Sequence, residues 1–114
     1  MRKFRGAIQI NFQYSEYFGP RYEKAGVFLH LTTSDKYEFI NAAQWTEQDF
    51  GYAVEKGVRD GLIESDYNPD LGISVLLKSV EYDSVDSSEY SFYAAAKSAV
   101  IARNILRQQK IHSG

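Results

Sequence analysis

The sequence feature that most constrains the fold is the junction at residues 85–89, where a strand pattern ends and the longest helix pattern begins. Asp86 and Glu89 have the spacing of a capping box, in which each side chain accepts a hydrogen bond from the other's backbone amide. Val85 and Tyr90 flank this box as a hydrophobic staple, which fixes the angle at which the chain enters a helix. The junction therefore predicts a helix that starts at Asp86 directly after a strand.

The predicted helix has one apolar face and one polar face. Its apolar positions recur at helical spacing and are mostly alanine, which allows close packing against whatever the helix covers. The inward residues are Phe92, Ala95, Ala99, Ala102 and Leu106, and the solvated ones are Lys97, Arg103, Arg107 and Gln108.

Alternating apolar and polar residues predict strands in the first third of the chain. The first strand alternates at Ile8, Ile10, Phe12 and Tyr14, and the second at Val27, Leu29 and Leu31. A turn at residues 33–36 leads to a third strand at residues 37–41. These three strands are expected to form an antiparallel meander.

A helix is expected from Thr46 to about Ser65. Thr46 and Asp49 have capping-box spacing, and Trp45 and Phe50 are placed as the staple. Two glycines inside this helix, Gly57 and Gly61, each cost about 1 kcal/mol relative to alanine, which suggests close packing against a neighbour. Pro69 prevents continuation of the helix, and a fourth strand at residues 73–77 follows.

These elements predict an α+β fold in which two helices lie on one face of a four-stranded sheet. At 114 residues and 44% hydrophobic composition, the chain has room for one domain, residues 1–114, with an ordered core at about 6–106. No stretch approaches the roughly 20 apolar residues that span a bilayer, so a cytoplasmic location is expected. A net charge of -2 argues against binding of nucleic acid by bulk electrostatics, but it allows a local basic patch.

Several motifs resemble the fourth domain of translation elongation factor G. The junction Val-Asp-Ser-Ser-Glu at 85–89 is followed by an apolar, alanine-rich helix, as in that family. The segment Ala-Val-Glu-Lys-Gly at 53–57 is similar to the family's helix, and Tyr-Glu-Phe-Ile-Asn at 37–41 to one of its strands. The resemblance covers the chain from about Gly6 to about Arg103, with its pieces in the family's order.

The resemblance implies both a fold and a function. It implies a four-stranded sheet with two helices on one face and a left-handed βαβ crossover. It also implies a non-catalytic module that binds the ribosome or structured RNA through two tip loops, residues 19–26 and 79–84. The contact residues carried over to this sequence are Gly19, Arg21, Lys24, Tyr82 and Asp83.

Both tip loops depart from the family pattern. Pro20 and Tyr22 replace two family glycines in the first loop, which becomes stiffer and bulkier. In the second loop Asp83 replaces the family's histidine and Glu81 adds a carboxylate, which repels phosphate. The sequence therefore also permits an alternative, a protein-protein interaction module that has lost its RNA contacts.

No residue pattern predicts catalysis, a cofactor, a metal site or nucleotide binding. The phosphate-binding loop of a GTPase, with its Gly-Lys-Ser/Thr sequence, does not occur. The two histidines, His30 and His112, are too few for a metal cluster. The polar face of the sheet around Phe28 is expected to be either a solvent-exposed surface or a binding surface for a partner.

Overall fold

The computed structural model describes residues 3–105 as three strands, a helix, a fourth strand and a second helix. The strands are β1 (Ala7–Phe18), β2 (Arg21–Thr32), β3 (Tyr37–Asn41) and β4 (Ile73–Glu81). The helices are α1 (Gly51–Glu64) and α2 (Glu89–Arg103), and a 3-10 turn at Pro69–Leu71 follows α1. The residues Leu106, Arg107, Gln108 and His112, on which predictions were made, lie outside the described residues.

The four strands form one mixed sheet in the order β1-β2-β4-β3. The β1/β2 and β2/β4 pairs are antiparallel, whereas β3 and β4 are parallel and are joined through α1. The predicted meander is therefore wrong, because β4 lies between β2 and β3. Alternation identifies a strand with one buried face, but it does not identify the neighbouring strand.

The hydrophobic core lies between one face of the sheet and the two helices. Inward side chains from three strands, such as Ile10, Leu29 and Leu77, are almost fully buried, as is Phe92 of α2. This arrangement confirms the predicted α+β fold with both helices on one face. The crossover expected between parallel strands is present as β3-α1-β4.

The core begins earlier in the chain than the predicted limit at about residue 6. Phe4 is fully buried, and its backbone amide donates a hydrogen bond of 2.9 Å to the Tyr67 hydroxyl. That hydroxyl in turn donates to the Gly72 carbonyl oxygen at 2.8 Å. Tyr67 thus ties the amino-terminal segment to the turn before β4.

The helices α1 and α2 pack closely through the two glycines of α1, as the sequence predicted. A methyl group on Gly61 would lie 2.9 Å from Cβ of Val100 and 3.0 Å from the Lys97 carbonyl oxygen. A methyl group on Gly57 would overlap the Tyr93 carbonyl oxygen and lie 2.9 Å from Cβ of Ala96. The missing side chains therefore set the distance between the helices.

Helix α2 starts two residues later than the predicted capping box. Its N-cap is Ser88, whose hydroxyl accepts from the Ser91 amide, while the Ser91 hydroxyl accepts from the Ser88 amide at 2.7 Å. The Asp86 amide is occupied elsewhere, because it donates to the Asp83 carboxylate at 2.9 Å. The predicted cap at Asp86 is therefore wrong. The predicted hydrophobic staple is wrong as well, since Val85 is 86% exposed.

The inward face of α2 also differs from the predicted one. Phe92, Ala95 and Ala99 are buried as expected, but Ala102 is exposed. Ala96 and Val100 are buried instead, because α1 covers the side of α2 that they occupy. Helical periodicity predicts the residues of α2 that face the sheet, but it does not predict those that face the neighbouring helix.

Helix α1 begins at Gly51, five residues after the predicted Thr46 cap. The Asp49 carboxylate does not cap a helix that starts at Thr46. It accepts from the Asn41 side-chain amide at 3.0 Å and from the Gly51 amide at 2.7 Å. The Trp45 and Phe50 rings are in contact, with centroids 6.3 Å apart, but they belong to an aromatic cluster. The predicted end near Ser65 is confirmed, because α1 ends at Glu64.

We expect Ser88→Ala to lower the free energy of unfolding by at least about 1 to 2 kcal/mol, because it removes the N-cap of α2 and also the hydroxyl that donates to the buried Glu23 carboxylate. The matched control is Asp86→Ala, since within residues 3–105 the Asp86 side chain has no hydrogen bond. This control should change stability by less than about 0.5 kcal/mol. Urea unfolding of both variants measures the difference, and a larger loss for Asp86→Ala would contradict Ser88 as the N-cap.

We expect Gly57→Ala to destabilise the protein by about 1 to 3 kcal/mol through overpacking at the α1/α2 contact. This cost opposes the gain in helix propensity of about 1 kcal/mol that alanine brings. The exposed Ile63 of the same helix provides the control, and Ile63→Ala should have little effect. Thermal unfolding checks both, and a stabilised Gly57→Ala protein would show that the helices can separate at low cost.

Candidate functional site: the hairpin arm and its aromatic surface

The strands β1 and β2 extend beyond the rest of the sheet as a two-stranded arm. Pairing of β2 with β4 ends at Gly26, whereas pairing of β1 with β2 continues to Phe18 and Arg21. We call residues 14–25 the arm. Its turn consists of Gly19 and Pro20, and Gly19 has a φ of +64°, a conformation that glycine adopts without strain. The predicted first tip loop is therefore mostly strand, and only its first two residues form the turn.

The second predicted tip loop is also shorter than expected, because residues 79–81 belong to β4. The loop that follows, residues 82–88, holds the arm against the start of α2. The Lys24 amide donates to the Asp86 carbonyl oxygen at 3.0 Å, and the Ser87 hydroxyl donates to the Lys24 carbonyl oxygen at 2.6 Å. The two tip segments thus form one connected structure.

A buried carboxylate completes this connection. Glu23 is only 3% exposed, and one of its oxygens accepts a hydrogen bond from the Ser88 hydroxyl. Its other oxygen lies 2.6 Å from Nε of Arg21. A buried charge is tolerated when it is paired and hydrogen-bonded in this way. The N-cap of α2 therefore also binds the arm.

The five predicted contact residues have different surroundings. Gly19 lies in the turn, and the Lys24 side chain is exposed on the arm with no carboxylate in ion-pair distance among residues 3–105. The Arg21 side chain is 68% exposed, but its charge is shared with Glu23. These three residues remain accessible at the surface of the arm.

Tyr82 does not offer a free ring for base stacking. It packs in an aromatic cluster with Phe50 at a centroid distance of 6.0 Å, Phe92 at 5.7 Å and Trp45 at 6.3 Å. Aromatic pairs at these distances stabilise a core. No local pattern indicates this role, because Trp45 and Phe50 lie far from Tyr82 in the chain.

Asp83 stabilises the loop at residues 82–88 through hydrogen bonds within that loop. Its Oδ1 accepts from the amides of Val85 and Asp86, each at 2.9 Å, and the Ser87 amide donates to its carbonyl oxygen at 2.9 Å. Hydrogen bonds from the Asp86 and Val85 amides lower the pKa of the Asp83 carboxyl below its usual range. Asp83, which the sequence suggested as a contact residue, thus stabilises its own loop.

The structure exposes a set of aromatic residues that no sequence motif indicated. Tyr17 at the end of the arm is 72% exposed and contacts the Tyr22 ring at a centroid distance of 4.6 Å. Phe18, Tyr90 and Tyr52 are 44%, 49% and 53% exposed. The alternating pattern in the sequence ends at Ser15, so it did not indicate that Tyr17 and Phe18 continue the strand.

Two open grooves lie on either side of Tyr90. The first, about 340 Å³, lies between the arm and α2 and is lined by Phe18, Arg21, Glu23 and Tyr90. The second, about 370 Å³, lies between the amino-terminal turns of α1 and α2. Its lining residues are Tyr52, Ala53, Lys56, Glu89, Tyr90 and Tyr93. Both volumes are at the lower end of the range for small-molecule sites.

Across residues 3–105, no three His, Asp or Glu side chains come together in a way that could hold a metal ion. Within this range His30 is half-buried on the outer face of the sheet. In the same part of the chain, no helix is long and apolar enough to cross a membrane.

Comparison with known proteins identifies the fold. No protein-family model matches the sequence, and no curated protein matches it. Among solved structures, the domain is similar to a crystal structure of a protein from Thermus thermophilus, with a TM-score of 0.76 and 20% sequence identity. The match covers 87% of this chain and 16% of the Thermus chain. At this identity the likeness shows a shared fold.

The lowered pKa of Asp83 predicts a pH dependence of stability. Because the folded pKa lies below the unfolded one, the unfolded chain binds more protons, and stability falls as the pH drops below about 4. Asp83→Asn should make unfolding less dependent on pH in this range than it is in the parent protein. Urea unfolding between about pH 2 and 6 measures the slope. An unchanged slope would show that the carboxylate contributes nothing to the loop.

Proposed function

We propose that the chain is a non-catalytic module, resembling the fourth domain of translation elongation factor G, that binds the ribosome or structured RNA with the end of its arm. The observation that carries the proposal is the position of Tyr17. Its ring is the most exposed aromatic on the arm, at 72%, and it lies within seven residues of Arg21 and Lys24. A ribosomal partner would place the protein in the cytoplasm.

The chemistry of the arm end suits RNA. Unpaired bases stack on exposed aromatic rings, and each such contact contributes about 1 to 3 kcal/mol by alanine substitution. Tyr17 is held in place by Tyr22, its directly opposite partner in the β1/β2 register. A ring that is already ordered loses less entropy when a base stacks on it.

The cations of the arm contribute unequally. Arg21 lies 2.6 Å from the Glu23 carboxylate, whereas among residues 3–105 Lys24 has no carboxylate within ion-pair distance and interacts only at longer range with Asp83. Lys24 lies opposite Ser15 in the strand register, and its backbone is fixed by both hydrogen bonds to the 82–88 loop. We therefore assign the main phosphate contact to Lys24 and the base contact to Tyr17.

We expect Lys24→Glu and Tyr17→Ala to weaken co-sedimentation of the purified protein with ribosomes. Loss of one phosphate contact should also reduce the salt-dependence slope by roughly 0.7 to 0.9 for Lys24→Glu, but not for Tyr17→Ala. Binding is measured between about 50 and 200 mM salt, where this term changes most. A change in the salt-dependence slope for Lys24→Glu but not for Tyr17→Ala distinguishes a phosphate contact from a stacking contact.

Lys36→Glu is the matched control, because Lys36 is exposed in the turn at the opposite end of β2 and the substitution changes the charge equally. It should leave binding unchanged. Equal losses for Lys24→Glu and Lys36→Glu would point to bulk charge and contradict a contact at the arm. If the parent protein fails to bind ribosomes or RNA at about 50 mM salt, the proposed function is wrong.

A further inference from the structure

The strand β1 forms a long edge of the sheet that lacks the usual protections. In the order β1-β2-β4-β3, the two edge strands are β1, with 12 residues, and β3, with five. The β1/β2 register runs from Ala7 to Phe18 without a bulge. Residues 7–15 contain no proline and no charged residue. Short strands, bulges, proline and charge are the devices that keep a sheet edge from pairing with another chain, and β1 has none of them over this stretch.

The odd-numbered residues of β1 direct their backbone groups away from β2. In an antiparallel pair, successive residues point their amide and carbonyl groups alternately toward the partner strand and away from it. The Thr33 amide donates to the Gly6 carbonyl oxygen at 3.0 Å, so the even-numbered residues of β1 face β2. Lys24, which lies opposite Ser15, agrees, because its amide and carbonyl groups bond to the loop at residues 82–88.

Three consecutive outward positions of β1 are free to pair. Within residues 3–105, the backbone amides of Asn11, Gln13 and Ser15 donate to no acceptor. At the preceding outward position, the Gln9 carbonyl oxygen already accepts a hydrogen bond of 3.3 Å from Nη1 of Arg103. The free edge therefore extends from residue 11 into the arm.

The side chains along this edge are neutral on one face and aromatic on the other. Asn11, Gln13 and Ser15 are exposed on the outer face of the sheet. Phe12 and Tyr14 lie on the helix side, where they pack against the core but remain only half-buried. The edge thus combines unpaired amides with two incompletely covered rings.

We propose that β1 pairs with β1 of a second copy of this chain, antiparallel and about a two-fold axis at Gln13. In this register Gln13 faces Gln13 of the second copy and Asn11 faces Ser15, which gives about six backbone hydrogen bonds. Phe12 of each copy faces Tyr14 of the other, and such cross-strand aromatic pairs stabilise antiparallel strands. Residues 11–15 carry no charge, so no like charges meet across the contact.

The symmetry of this match favours a second copy over an unrelated strand. A two-fold axis at Gln13 matches odd positions with odd positions, as the free amides require, and covers both half-buried rings of each copy. The contact is also closed, because each copy uses its long edge once. The edge that remains, β3, is short and carries Glu38. A typical interface has about ten direct hydrogen bonds, so about six indicate a weak, reversible dimer.

Sedimentation velocity of the full chain tests the dimer. Measurements between about 10 µM and 1 mM cover the range expected for a small, weak interface. A reversible, concentration-dependent equilibrium between monomer and dimer is expected. A monomer throughout this range would overturn the proposal. Species that grow beyond a dimer would overturn it as well, because they would show open-ended pairing of sheet edges.

Gln13→Lys and Gln13→Glu test the register, because each places like charges opposite each other at the axis. Each variant alone should associate at least about tenfold more weakly than the parent protein. An equimolar mixture of the two should form a heterodimer, since the opposite charges then attract. Recovery in the mixture requires both variants to be folded, so a folding defect cannot imitate it. If mixing restores no association, the axis does not lie at Gln13 and the proposal is wrong.

The matched controls are Thr32→Lys and Thr32→Glu, because Thr32 lies on β2, one strand away from the edge. Neither substitution should change the association, and mixing the two should have no effect. If they weaken association as much as the Gln13 variants do, net charge rather than the β1 edge controls it, and the proposal fails.

Amide hydrogen exchange provides a residue-level readout of the same contact. The amides of Asn11, Gln13 and Ser15 should exchange at least about tenfold more slowly at concentrations where the dimer predominates than in dilute solution, because only pairing gives them acceptors. Exchange of these amides that stays fast in the dimer would exclude β1 as the contact.

Discussion

The structure depends most on the buried contact between the arm and the start of α2. Glu23 of the arm accepts from the Ser88 hydroxyl and pairs with Arg21, and it is nearly inaccessible to water. A carboxylate at this depth is strongly unfavourable without such partners. Because Ser88 is also the N-cap of α2, the first turn of the helix and the position of the arm are stabilised together.

The same contact determines which residues each face of the arm exposes. With Glu23 engaged on the helix side, Phe18 and Tyr90 are brought together there, and Tyr17 and Lys24 remain on the other face. One face of the arm therefore carries Tyr17 with Lys24, and the other borders the grooves around Tyr90, which are lined by charges of both signs.

The elements of the fold could be predicted from the sequence to a large extent. Local patterns placed four strands and two helices in the correct order, and the glycines of α1 correctly indicated a close helix contact. Their limits were less accurate, because the Asp49 carboxylate binds the Asn41 side chain and because Asp83 accepts from the Asp86 amide, which the predicted capping box assigned to Glu89. The candidate site was predicted poorly: Tyr82 and Asp83 have structural functions, and no motif indicated the exposed Tyr17, Tyr52 and Tyr90.

The sequence by itself determined which segments form strands and helices, since periodicity and glycine act over a few neighbouring residues. Only the tertiary structure decided that β4 lies between β2 and β3, that Ser88 rather than Asp86 caps α2, and that Tyr82 belongs to the aromatic cluster against the core. Each of these depends on residues far apart in the chain, such as Glu23 and Ser88, which become neighbours only when the domain is folded. The exposed aromatic surface is of this second kind, because its rings come from β1, α1 and α2, and no local pattern shows that they meet.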